Sequence, residues 1–142
     1  MTAAAPDKKS FAWPLRVYWE DTDAGGIVFY ANYLKYFERA RTEWLRSLGI
    51  EQSTLRERSG AIFVVAEANL RYLRPARLDD QLLVTAEPTE IGRAGLTIQQ
   101  AAWLKAESGT TLLCEASVRV AWVAASTYKP TRLPPSILEL LK

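Results

Sequence analysis

The chain has 142 residues, 49% hydrophobic and 24% charged, an ordinary globular composition whose length fits one domain. A net charge of +2 is too small to argue for a nucleic-acid partner, and with no histidine there is no Ser-His-Asp or Cys-His machinery and no His-based zinc site. The lone Cys114 permits neither an intramolecular disulfide nor a thiolate metal cluster, so catalysis would fall to Asp, Glu, Lys, Tyr, a hydroxyl or the backbone.

Residues 1–10 are polar, carry Lys8 and Lys9 and lack the apolar stretch of a signal peptide. They are expected to be a flexible segment before one domain over 11–142. No apolar run reaches the roughly 18 residues of a membrane span, so a cytoplasmic protein is expected. Phe11–Glu20 (FAWPLRVYWE) is aromatic and β-branched and reads as a strand, with Pro14 placing it at an edge or at its own beginning. Asp21-Thr22-Asp23-Ala24-Gly25-Gly26 breaks regular structure. From Tyr30 to Leu48 the period becomes helical, with Tyr33, Phe37, Ala40, Trp44 and Leu48 on one stripe and Gly49 as the C-terminal cap. Such a helix of about 19 residues is about 28 Å long. A short helix is expected over Gln52–Arg58. Strands follow at Ile62–Leu73, Gln81–Glu87 (limited by Pro88), Leu96–Ala106 and Thr110–Ala124, and a last helical turn at Ser136–Leu141. One long helix with about five antiparallel strands is an α+β arrangement.

The stretch from Glu20 to Tyr33 carries the chemistry. It sets two carboxylates at a strand's end, then two glycines, then a helix start. Glycine lets backbone approach a ligand closely, and the first helical N–H groups have no intrahelical partner and lie at the positive end of the dipole. A carbonyl oxygen placed there is stabilised as it gains charge, while a carboxylate on the same loop can attack the carbon or activate water. On residue chemistry alone, Asp23 reads first as a turn carboxylate capping a loop or helix and second as a reacting group. Glu38 is expected to be an i,i+3 or i,i+4 partner for Arg41 or Lys35, and Cys114 to be buried and inert.

The run RVYWEDTDAGGIVFYANYLKYFERAR, Arg16 to Arg41, resembles the signature of the 4-hydroxybenzoyl-CoA thioesterase branch of the hotdog superfamily, and most closely its YbgC-type acyl-CoA thioesterases associated with the Tol–Pal system. The resemblance continues through Arg74-Pro75-Ala76-Arg77-Leu78-Asp79-Asp80 and the Pro-rich end. It implies a hotdog fold, a long helix wrapped by the sheet, and hydrolysis of acyl-CoA without metal or bound cofactor. It further implies that Asp23 is nucleophile or general base and that the Tyr30 N–H is the oxyanion donor. Arg93 is carried over as a substrate-binding residue; Gly26, for its close backbone approach, and Asn32, which could cap or orient the loop, are taken as substrate-binding residues from the loop's own chemistry. Tyr30 stands where many YbgC-type sequences have histidine, and Trp19 where tyrosine is common; only Arg93 matches the basic cluster for the CoA phosphates. Arg71, Arg74 and Arg77 read first as solvated ion pairs and second as phosphate contacts. A homodimer with joined sheets, or a homotetramer, is implied, as are acyl carrier protein or the Tol–Pal machinery as partners. The rivals are a non-catalytic acyl-CoA or acyl-carrier binding module and a hotdog dehydratase, which needs the histidine this chain lacks.

Overall fold

The computed structural model describes residues 10–142, and alternation between core and solvent is clearest in the strand over Gln81–Ile91. The expected flexible segment, residues 1–10, lies outside the described residues except for Ser10. β1 (Phe11–Arg16), β2 (Ala61–Tyr72), β3 (Gln81–Ile91), β4 (Gly95–Ala106) and β5 (Gly109–Ala124) make one antiparallel sheet in the order β1-β3-β4-β5-β2. β1 and β2 are therefore its edges. The edge position expected from Pro14 is met: it pairs with Leu83 from the outermost strand.

α1 (Asn32–Ser47) lies on the sheet, mainly against β3 and β1, with α2 (Gln52–Ser59) after it and α3 (Pro135–Leu141) at the end. Of the predicted stripe, Tyr33, Phe37, Ala40 and Trp44 are buried, joined by Tyr36 and Leu45, while Leu48 is only half-buried at the helix's C-terminal cap. Each large apolar side chain buried this way contributes about 1.5–3 kcal/mol. They meet Val84, Ile98, Leu113 and Trp122 in one core cluster. Gly49, at φ 88°, ends α1: its N–H reaches the Arg46 carbonyl and the Ile50 N–H the Leu45 carbonyl, each at 2.9 Å. Those two bonds satisfy carbonyls the helix leaves open, and Ile50 and Leu45 are both buried behind them.

Several boundaries differ from the sequence expectation, each for a local reason. β1 stops at Arg16 rather than Glu20, because Trp19–Asp21 coil into a 3-10 turn in which the Asp21 carboxylate accepts the Tyr18 N–H at 2.8 Å. α1 begins at Asn32 rather than Tyr30, since the Asn32 N–H closes a tight turn onto the Phe29 carbonyl at 2.8 Å. β3 runs past Pro88 to Ile91. There β1 has already ended, its Phe11 pairing with Ala86, and a register shift between Pro88 and Glu90 absorbs the missing donor.

Of the partners expected for Glu38, Arg41 feels its charge without an ion pair within 4.0 Å among the described residues. The Glu38 carboxylate accepts the Thr42 hydroxyl at 2.8 Å, whereas Arg41 donates to Gln100 Oε1 at 3.0 Å. Gln100 is buried and donates in turn to the carbonyls of Phe37 (3.0 Å) and Thr85 (3.2 Å), so helix and sheet are joined by a polar relay. Among the described residues no helix is long and apolar enough to cross a membrane.

Candidate active site

The loop between β1 and α1 folds as a small hairpin. Thr22 bridges Val28, the Asp23 N–H reaches the Ile27 carbonyl at 2.8 Å, and the Gly26 N–H reaches the Asp23 carbonyl at 3.0 Å. Gly26 sits at φ 82°, the left-handed position that closes such a turn, and an added Cβ there would meet nothing within 4 Å. Gly25 is constrained differently. A Cβ there would lie 3.2 Å from Asp23 Oδ1. The hairpin is pinned to the body by Val28, whose N–H donates to the Ala76 carbonyl at 2.9 Å, and by an Ile27–Arg77 bridge. Val28 and Ala76 are both buried, so this anchor is dry.

The two carboxylates have opposite surroundings. Asp21 is buried; its carboxylate is taken by the Tyr18 N–H, and its carbonyl accepts from the Phe29 N–H (2.9 Å) and Asn32 Nδ2 (2.8 Å). Asp23 is exposed, with Oδ1 accepting from the N–H groups of Gly25 (2.8 Å) and Ile27 (3.4 Å). Among the described residues no hydrogen bond reaches Oδ2. Asp23 thus fills the first position of a turn, for which Asp is well suited, and still leaves one oxygen open.

At the start of α1 the N–H groups of Tyr30 and Ala31 donate to no acceptor among the described residues. The Tyr30 side chain is 63% exposed, and its carbonyl accepts the Tyr72 hydroxyl at 2.9 Å. Asn32 uses Nδ2 to tie the loop to the helix. So Asp23, Gly26, Tyr30 and Asn32 are brought onto one short stretch of surface. Arg93 is not. β3 starts at Gln81, opposite the end of β1, and Arg93 lies past its far end, about 33 Å along the strand. Arg77 is the basic residue beside the loop. The Arg71 guanidinium pairs with Glu115 at 3.3 Å, whereas among the described residues no ion pair forms at the Arg74 or Arg77 guanidinium, the Asp80 carboxylate accepting the Arg77 backbone N–H at 2.8 Å instead.

Aromatic rings rim the loop: Tyr18, Trp19, Phe29, Tyr30 and Tyr72 are all exposed. Gly25 and Tyr72 carried no site expectation. The paired glycines were a signal for the first, but nothing local in the sequence links Tyr72 to residue 30. Deeper, burial pushes the Tyr33 hydroxyl up to about 12, and burial and then the neighbouring Asp21 hold the Tyr36 hydroxyl protonated. Cys114 is buried as expected, its thiol pushed up to about 12 by burial and then by Glu115. A cavity of about 170 Å³ opens on the distal half of α1, between Arg41, Trp44, Leu45, Phe63, Ile98 and Val120; no residue of the Asp23 loop lines it.

A long helix on a five-stranded antiparallel sheet, with a carboxylate-bearing hairpin leading into the helix, defines the class: this is the hotdog fold. A 4-hydroxybenzoyl-CoA thioesterase, solved with 4-hydroxybenzoyl-CoA bound, superposes with a TM-score of 0.88 over 94% of this chain and 99% of its own, at 18% identity, a likeness of fold. In sequence, the acyl-CoA thioester hydrolase YbgC of Escherichia coli is 45% identical over 132 residues, covering 93% of this chain and 96% of that protein. The acyl-CoA thioesterase YbgC of Haemophilus influenzae is 42% identical over 127 residues, covering 89% and 90%. The Thioesterase superfamily matches residues 25–111, a segment that opens two residues after Asp23. The chain belongs to the Thioesterase superfamily and is a thioester hydrolase.

Proposed function

We propose that this protein hydrolyses acyl-CoA to a carboxylic acid and CoA, with Asp23 as the reacting carboxylate and the Tyr30 N–H as donor to the thioester oxygen. One observation carries the reading. A carboxylate with one oxygen fixed and the other open stands on the hairpin that leads directly to unpaired N–H groups at the positive end of a 16-residue helix. With the thioester oxygen on that N–H, the carbonyl carbon is electrophilic and charge developing on oxygen meets a fixed donor. Two routes are chemically complete. The open oxygen of Asp23 adds to the carbon and the tetrahedral species expels CoA thiolate, leaving an anhydride that water cleaves. Alternatively, Asp23 takes a proton from the water that attacks. Both regenerate the carboxylate, with water supplying a hydroxyl to the acid and a proton to the thiol.

The assembly we propose is a homodimer formed through the open edge of β2. Val65, Tyr72 and Leu73 on or beside that edge, with Tyr30 and Leu34, present apolar surface that a second copy would cover. A contact between Arg93 and the phosphates of a ligand at Asp23 then has to come from another protomer.

Thiol release across short, long and aromatic acyl-CoAs tests the activity. Turnover of at least one class is expected; binding of all three without turnover would favour the non-catalytic binding module.

A further inference from the structure

The three residues joining loop to helix, Phe29, Tyr30 and Ala31, present two peptide planes whose N–H groups are free and whose carbonyls are not. The Phe29 carbonyl, in one plane with the Tyr30 N–H, accepts the Asn32 N–H at 2.8 Å. The Tyr30 carbonyl, in one plane with the Ala31 N–H, accepts the hydroxyl of Tyr72 at 2.9 Å. Accepting a hydrogen bond polarises a peptide and makes its own N–H a stronger donor, and it holds the plane against rotation. Preorganised donors of this kind stabilise an oxyanion without reorganising during the reaction.

Tyr72 is well placed to hold that bond. It is the last residue of β2, opposite the buried Cys114, and its ring meets those of Tyr30 (6.2 Å, 87°) and Tyr33 (5.6 Å, 67°) edge-on. Tyr33 belongs to the core, so the Tyr72 ring is braced by its contacts with Tyr30 and Tyr33. We propose that Tyr72 is a positioning residue, orienting and polarising the peptide between Tyr30 and Ala31 so that the Ala31 N–H joins the Tyr30 N–H as an oxyanion donor; this rests on the thioesterase reading above.

Tyr72→Phe in the full chain keeps the ring and removes only the bond. The expected result is a kcat lower by about 3- to 30-fold, less than the loss on deleting an oxyanion donor outright, with KM within about twofold. Sedimentation and melting behaviour should match the parent. The second readout needs no turnover: the infrared stretch of a 13C-labelled thioester carbonyl on acyl-CoA bound to the Asp23→Asn protein. It should lie below that of free substrate and move back toward it when Tyr72→Phe is added. Wild-type kcat, a loss confined to KM, a loss that tracks dissociation of the oligomer, or an unmoved carbonyl stretch would each overturn the role of Tyr72. Wild-type turnover by Asp23→Asn alone would instead remove the underlying reading, and that outcome is scored before Tyr72 is touched.

Discussion

Replacing Gly25 by alanine is expected to displace the Asp23 carboxylate without straining the loop. The new Cβ would lie 3.2 Å from Asp23 Oδ1, where ordinary contact starts at 3.4 Å, so the oxygen must retreat by a few tenths of an ångström. That retreat also stretches the 2.8 Å bond from the Gly25 N–H that fixes the carboxylate. Misplacing a reacting group by about 1 Å costs about 100-fold, so a shift of a few tenths should lower kcat by about 3- to 10-fold. Stability should change by less than about 1 kcal/mol, as for other exposed sites. Gly26→Ala supplies the contrast. It has open space around the new Cβ but a backbone at φ 82°, which costs about 1–2 kcal/mol for an L side chain. Thiol release at saturating acyl-CoA, run beside thermal melts, separates the two. Gly26→Ala should melt lower, with a raised KM if substrate passes close to that backbone. Wild-type kcat in Gly25→Ala would refute the claim that the position of this carboxylate sets the rate.

Three further outcomes concern the frame of the site. Asp21→Ala leaves the Tyr18 N–H without its acceptor and should cost about 1–3 kcal/mol in urea unfolding; an unchanged midpoint would contradict the buried role given to that carboxylate. Phe37→Ala empties a fully buried position of the α1 stripe and should cost about 3–5 kcal/mol, read as a shift in unfolding midpoint. The third is alkaline sensitivity. Burial raises the Cys114 thiol from 9.0 to about 12 and the Tyr33 hydroxyl from 10.0 to about 12. Above the lower values the unfolded chain loses protons that the native one keeps, so stability should fall with rising pH from about pH 9. The limit is about 1.4 kcal/mol per unit per group. Cys114→Ala should flatten the first part of that slope, and native Cys114 should resist thiol reagents at pH 8 until the protein unfolds.

Where the sequence was informative, one local rule dominated. The stripe Tyr33, Phe37, Ala40 and Trp44 follows from period alone, and Gly49 ends the helix because its carbonyls need a left-handed residue there. The later strands came out within a residue or two at most ends, with alternation against the core clearest in β3. Errors arose where a side-chain hydrogen bond, even to a near neighbour, overrides the periodic pattern. The Asp21 carboxylate turns the chain at Tyr18 and cuts the first strand short, and Glu38 hydrogen-bonds Thr42 while keeping only a longer-range interaction with Arg41. The hairpin was legible as a break, but not the way its turn uses only one oxygen of Asp23. The contact between Tyr72 and Tyr30 joins residues 42 apart and leaves no local trace. Likewise, only the strand register puts Arg93 at the far end of β3 and Arg77 beside the loop.

The most direct measurement is the turnover number of Asp23→Asn on whichever acyl-CoA the parent hydrolyses fastest. Asparagine keeps an oxygen for the Gly25 and Ile27 N–H groups, so the hairpin and the melting temperature should persist while kcat falls by at least about 100-fold. A folded Asp23→Asn protein turning over within a few-fold of the parent would contradict the account.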